Sequence, residues 1–275
     1  MLCAIAHKAD SATSEHGDLL DLIRAREGLV SFRDAFDEAR RFLRAPRART
    51  TESRDRSSSE CDTIALARKI WAASQPIIGT KAEAYLRARK ITADLSDAPL
   101  RYHPALIYRE RRNSPPRKLP ALVAAVTDNG GEIRGIHRTF LDPDRNEKAS
   151  VASPRRSLGA ILGNGVRFGV IVEFAIIGEG IETVLSLKSV APHMPMVAAL
   201  SAAHLAAWKI PAGVRCLIIA SDNDRAGRNA ARKLSGRAEA VSVQVGTIVS
   251  RGKDFNDDLW YLAREYPRLQ QVRIT

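Results

Sequence analysis

Cysteine is scarce in this 275-residue chain. Cys3, Cys61 and Cys216 lie far apart and form no CxxC pair. A sequence-local zinc finger is therefore excluded, and the odd, unspaced set fits a reducing compartment, so a cytoplasmic location is expected. Long hydrophobic runs are also missing. The greasiest stretch, Val170 to Gly178, is broken by Glu173 and is much shorter than the roughly 20 residues of a membrane helix. The apolar start, Met1 to His7, lacks the basic flank of a signal peptide. Aromatic residues are few, at three Trp, five Tyr and seven Phe, which argues against a base-stacking platform. No GxxxxGK(S/T) sequence occurs, so no P-loop helicase is fused here. Acidic residues are in the minority, 31 Asp+Glu against 43 Lys+Arg, for a net charge of +12. Such an excess suits a polyanionic partner. Without a membrane-length run, nucleic acid is the better fit and no membrane partner is expected.

What is present is core-forming. With 45% hydrophobic residues the chain can bury a sizeable interior. Residues 17–43 read as two short helices, from Leu19, Leu20 and Ile23 and then Phe32, Phe36, Ala39 and Leu43, with Ser31 at an N-cap position. Residues 44–60 alternate Arg with Ser and Thr and lack apolar anchors; they read as a basic, flexible linker. Residues 61–168 open with helical patterns and then turn β-rich. Leu122–Thr127 and Ile133–Leu141 flank Asp128-Asn129-Gly130-Gly131, a hairpin signal. From 169 to 275, apolar strands near Ala175, Met196, Arg215 and Ala240 alternate with helices near Ile181, Ala202, Ala226 and Asn256. That alternation predicts a parallel sheet covered on both faces.

Carboxylates recur at one position in this pattern. Glu179 follows the first strand, Asp222 and Asp224 follow the third, and Asp254, Asp257 and Asp258 follow the fourth. Carboxyl ends of parallel strands face a common crevice. One such cluster alone reads better as a helix cap. Three at successive strand ends point to a hard, open cation site of the kind that holds Mg²⁺ or Mn²⁺ against phosphate. Gly178 and Gly180 beside Glu179 suit a tight strand-to-helix turn.

Glu179-Gly180, Asp222-Asn223-Asp224-Arg225-Ala226-Gly227 and Lys253-Asp254-Phe255-Asn256-Asp257 resemble, in order and spacing, the motifs of the Toprim domain of bacterial, phage and plasmid DNA primases. The resemblance implies a Rossmann-like α/β parallel sheet with helices on both faces. It implies Glu179 as the catalytic acid/base or a ligand, Asp222 and Asp224 as Mg²⁺ (or Mn²⁺) ligands, and Asp254 as an auxiliary ligand. Two positions depart from the family. Thr183 stands where replicative primases carry an Asp, and Asn256 where they carry the second Asp of the third motif. Glu182 and Asp257 are the carboxylates placed to compensate.

The preceding stretch also resembles primases. Arg101–Ala105, Gly135–Leu141, Lys148, Pro154–Arg156 and Leu158–Leu162 are similar to the smaller α+β basic subdomain before Toprim. The likeness implies that Arg138 and Lys148, then Arg155, Arg156 and Lys253, meet the template or nucleotide. His103 and His137 read as structural. Residues 101–168 hold 13 Lys+Arg and 6 Asp+Glu, whereas 170–265 hold 11 and 10, so the basic excess lies ahead of the sheet. Gly17–Ile23 and Ser31–Ala35 resemble the tail of a primase zinc-binding domain, but Cys3, His7 and His16 do not reproduce its ligand spacing; no zinc is expected. The expected division is thus 1–43, 44–60, 61–168 and 169–275. The implied activity is Mg²⁺-dependent primer synthesis on single-stranded DNA from nucleoside triphosphates, beside a separate replicative helicase. A Toprim nuclease and a non-catalytic DNA-binding accessory protein are the alternatives.

Overall fold

A computed structural model describes residues 52–111 and 113–265, together with Ser31 and Asp34. Residues from Ser57 onward form one compact unit. Apart from Ser31 and Asp34, the helices expected over 17–43, and residues 44–51 of the expected linker, lie outside the described residues.

Helix α1 (Glu52–Ala73) starts inside the segment expected to be linker. Its later turns supply the reason. Ala67 is fully buried, with Ile70 and Trp71 packed beside it. A helix nucleated there extends outward at the low cost of propagation, without apolar anchors of its own.

After α1 comes an antiparallel sheet in the order β1 (Gln75–Pro76), β2 (Leu100–Tyr108), β3 (Arg117–Thr127), β4 (Ile133–Phe140), β5 (Arg155–Gly159). Helix α2 (Lys81–Ala88) precedes β2. The expected hairpin is β3–β4. Asp128 Oδ1 accepts from the Gly130 and Glu132 amides, and Gly131 takes a φ of 82°. β3 is buried on both faces, which explains its unbroken apolar run. Leu122, Ala124 and Val126 pack toward α2, while Ala121 and Val123 pack with Ile136, Phe140 and α1. β2 shifts register between His103 and Leu106, around Pro104, which cannot donate to a ladder. There His103 Nδ1 accepts from the Ala105 amide at 3.2 Å.

The second sheet is α/β and mostly parallel. Its strands are β6 (Val166–Phe168), β7 (Phe174–Gly178), β8 (Met196–Ala198), β9 (Cys216–Ser221) and β10 (Gln244–Val249), in the order β10-β9-β7-β8-β6. Between them run α3 (Ile181–Val190), α4 (Ala202–Ala207) and α5 (Arg225–Glu239), and α6 (Phe255–Glu265) follows. α3 and α6 cover one face through Val184, Leu185 and Leu259. α4 and α5 cover the other through Leu205, Ala230 and Leu234. Two details differ from the expected strands. The edge strand β6 runs antiparallel to β8. The last strand begins four residues later than its pattern suggested, because α5 continues to Glu239 and a turn through Ser242 (φ 62°) follows.

β6 lies ahead of the expected boundary at 169, yet it is bonded into the second sheet. Arg167 on it reaches the β3–β4 hairpin, donating to Thr127 Oγ1 at 3.1 Å and to Asn129 Oδ1 at 2.7 Å. Among the described residues no helix is long and apolar enough to cross a membrane.

Candidate active site

Strand order places the site. The chain steps from β7 to β8 on one side and then back across to β9 on the other, so the sheet reverses direction at β7, where open α/β sheets form their crevice. Gly178 pairs with Ala220 and Val249 with Ser221. The loops carrying Glu179, Asp222 and Asp224, and Asp254 therefore leave neighbouring strand ends side by side. Two glycines permit the crowding. A Cβ on Gly178 would lie 3.0 Å from Val184 Cγ2, and one on Gly227 would lie 2.8 Å from the Asp222 carbonyl oxygen.

The carboxylates perturb one another. Asp222 is pushed up to about 7, by burial first and then by the charges of Glu179 and Asp254; a 3.3 Å hydrogen bond from Thr183 Oγ1 opposes the rise, and the Asp224 charge adds a little to it. Glu179 is raised by burial and by Asp224, against an amide from Ala202 and the charge of Arg155. Asp224 Oδ1 also caps α5, accepting from the Gly227 amide at 2.7 Å. Asp254 Oδ1 accepts from the amides of Asn256 and Asp257.

Not every sequence-predicted residue joins this group. Asp257 turns back on its own loop and accepts from the Lys253 amide at 3.1 Å. Asp258 does the same with Arg251 and Gly252. Lys253 is exposed, and its carbonyl accepts from the Asn223 amide, which joins the two acidic loops. Glu182 cannot stand in for the missing Asp at 183. It is 7% exposed, bonded by the Tyr85 hydroxyl at 2.6 Å and paired with Lys148 Nζ at 2.8 Å. Burial alone would raise its carboxyl. The Lys148 charge and the hydrogen bonds from Lys148 and Tyr85 outweigh that and hold it far below the usual carboxylate range. Lys148, expected at the nucleotide, is thus committed to a buried ion pair.

The arginines divide by strand alternation. Arg138 opposes Arg156, and Thr139 opposes Arg155, across β4 and β5. Arg138 donates to the Ser157 carbonyl, lies over Phe140 and is lowered to about 10, by burial and then by Arg156. Arg156 stacks 4.3 Å from the Tyr108 ring centroid and donates to the carbonyls of Arg109 and Glu110. Both belong to the β-sheet face that packs away from the carboxylates. Arg155 lies on the other face, is exposed, and acts electrostatically on Glu179.

Two further residues shape the site and were not singled out as partners. Thr183, seen only as a departure, hydrogen-bonds Asp222. Asn256, the other departure, is 3% exposed and donates both to the Arg89 carbonyl at 2.9 Å and to Ser186 Oγ at 3.0 Å. An Asp could make neither donation.

Among the described residues, no three His, Cys, Asp or Glu side chains are drawn together closely enough to hold a metal ion by themselves. The donor chemistry nevertheless fits Mg²⁺ or Mn²⁺. Such ions take one or two carboxylates and complete their shell with water and phosphate oxygens. Burial first, and then the repulsion of neighbouring carboxylates, raises Asp222 and Glu179, and a divalent cation relieves that repulsion.

Two family models match the chain. Residues 61–168 match a domain of unknown function (DUF7146), and residues 174–263 match the Toprim domain. No curated protein matches the chain. Among solved structures, the Aquifex aeolicus primase (zinc-binding and RNA polymerase domains) is similar at 17% identity and a TM-score of 0.49, covering 94% of this chain and 70% of that one. A DNA primase domain from Pseudomonas aeruginosa is similar at 15% identity and 0.49, covering 77% and 78%. The primase fragment of the bacteriophage T7 primase-helicase protein gives 18% and 0.40, with 55% of this chain and 62% of that fragment covered. Motif order, sheet topology and the family match agree: the second sheet and its helices, over residues 174–263, are a Toprim domain.

Proposed function

We propose that the protein is a Toprim primase-like nucleotidyltransferase that synthesises oligonucleotide primers on single-stranded DNA from nucleoside triphosphates. Its setting would be the cytoplasm, in plasmid, phage or mobile-element replication beside a separate helicase. The observation that carries this reading is that the loops bearing Glu179, Asp222, Asp224 and Asp254 leave adjacent strand ends, close enough for these carboxylates to act on one another's charge.

Asp222 and Asp224 would hold Mg²⁺ or Mn²⁺, with Asp254 as an auxiliary ligand. An ion bound there neutralises charge on phosphate oxygens. Glu179, held above its usual range, is suited to take the proton of an attacking 3′-hydroxyl at its carboxylate. Arg155 would draw the triphosphate toward the carboxylates. In-line transfer then depends on positioning and charge neutralisation more than on covalent chemistry.

The test is a priming assay with single-stranded DNA, nucleoside triphosphates and Mg²⁺. Short oligonucleotides from the native protein and none from Asp222→Ala are expected. No product from either, or equal product from both, overturns the reading. DNA degradation without nucleotides would indicate a nuclease using the same carboxylates. A second reading, a non-catalytic DNA-binding accessory, draws support from Asp224, whose carboxylate already caps α5. It requires DNA binding that survives loss of Glu179, Asp222 and Asp224 together.

A further inference from the structure

Beside the carboxylate loops, on the flank formed by α5 and the edge strand β10, runs an open cleft of about 590 Å³. Arg225, Arg228 and Arg232 line one wall with Asn229, Thr247 stands on the β10 wall, and Ser221 forms part of the floor. The three arginines follow i, i+3, i+7 spacing, so they share one face of α5 over about 10 Å of helix. All three are exposed or lie in neutral contacts. Arg228 donates to Asn223 Oδ1 at 2.8 Å, Arg232 bonds Asn229, and among the described residues none has a carboxylate partner. Among the described residues, no acidic or aromatic side chain lines the cleft. At one end, Ser221 and Arg225 adjoin Asp222 and Asp224; toward the other, the Ser235 hydroxyl donates to Glu239 at 2.8 Å.

We propose that this α5–β10 cleft is a phosphate track that holds the backbone of a nucleic-acid strand entering or leaving the carboxylate centre. Three guanidinium groups without a carboxylate partner among the described residues, with the Asn229 amide beside them and the Thr247 hydroxyl on the facing wall, match successive phosphates. A cleft without aromatic rings can grip the backbone but cannot stack bases, so binding there is indifferent to sequence. Its Ser221 end adjoins Asp222 in the chain, so a strand held there would lie beside the carboxylate loops. The inference deepens the primer-synthesis reading by naming a second contact surface for its nucleic acid, yet its test needs neither metal nor turnover.

Binding of a fluorescent single-stranded oligonucleotide to the full chain is measured against salt, without Mg²⁺ or nucleotide. Replacing all three arginines by Gln should flatten the logarithmic salt slope by about two, since each cation on single strands contributes about 0.7. It should weaken binding about tenfold or more at 0.1 M salt. Arg215→Gln, on an exposed side chain paired loosely with Glu173, should leave both unchanged. Thr247→Glu, which puts a negative charge on the opposite wall without touching α5, should weaken binding too, and it decides the matter should the triple variant not fold. Native slope and affinity in folded triple and Thr247→Glu variants would overturn the proposal. So would displacement of the oligonucleotide by an equimolar nucleoside triphosphate, which would mark a nucleotide site. Slope loss in a protein that makes no primers would sink the primer-synthesis reading alone; primers made with an unchanged slope would sink this one alone.

Discussion

Lys148 Nζ lies 2.8 Å from Glu182 Oε1, the oxygen that also receives the Tyr85 hydroxyl. Three distant stretches, α2, the segment after β4 and the first turn of α3, meet at one carboxylate. Removing Lys148 leaves a charge that is 7% exposed without its cation. Breaking a buried pair costs about 3–5 kcal/mol. With a quarter of the Lys148 side chain exposed, Lys148→Ala should cost about 2–3 kcal/mol in urea denaturation. The double change Lys148→Met with Glu182→Gln should recover most of that. A Lys148→Ala protein of native stability that has lost nucleotide binding would refute the structural role.

His137 gives the fold an acid-sensitive limb. The ring is 7% exposed, meets Ser157 Oγ at 3.0 Å and is pushed down to about 4, chiefly by burial. Its partial opposition by Glu182 is outweighed when Arg155, Arg138 and Lys148 are added. The unfolded chain takes up this proton near pH 6.5 and the folded protein only near 4. Stability is therefore fully present above 6.5 and falls as pH drops toward 4, by up to about 3 kcal/mol. Urea midpoints at pH 7.5 and 4.5 should show the loss, and His137→Gln should reduce it.

Asp222 works in the opposite sense. Its folded value of about 7 lies above the 3.8 of the unfolded chain. The folded state thus binds the extra proton, and stability declines as pH rises from about 4 to 7. After allowance for solvent screening, Asp222→Asn in metal-free buffer should stabilise the protein by about 1–2 kcal/mol at pH 8 and by almost nothing at pH 4. Thermal melts at the two pH values check this. Added Mg²⁺ should narrow the gap at pH 8 by raising the native protein's melting temperature alone.

Asn256→Asp restores the family's acidic pattern on paper. Here it should remove two buried donations, to Arg89 O and Ser186 Oγ, and bury a charge. A loss of at least about 1–3 kcal/mol is expected, read as a lower melting temperature with no gain in Mg²⁺ affinity by calorimetry. Tighter Mg²⁺ binding at native stability would show the position to be a ligand site.

Local pattern and pair geometry were legible to different degrees. The β3–β4 hairpin announced itself through Asp128-Asn129-Gly130-Gly131, because turn chemistry is local. The alternation of strand and helix after Phe174 was equally plain, since each buried strand is a continuous apolar run. Even the acidic loops could be gathered at one sheet edge by topology alone. Lys148 and Glu182 could not be joined that way, because their contact depends on how two sheets pack. Arg155 and Arg156 are adjacent in the chain, and strand register alone decides which one faces Glu179. β10 starts at Gln244, later than its pattern predicts, because Ala240–Val243 is as apolar as a strand yet a left-handed Ser242 bends it into a turn.

β6 belongs by position to one half of the chain and by hydrogen bonding to the other. A cut at residue 168 would not separate two modules; it would strip an outer strand from β8 and leave that edge bare. The seam is thus a clasp, and any recombination that exchanges the Toprim half must carry Val166–Phe168 with it. Because the same strand grips the hairpin through Arg167, the spacing between the basic strands and the carboxylates is built in when the chain folds.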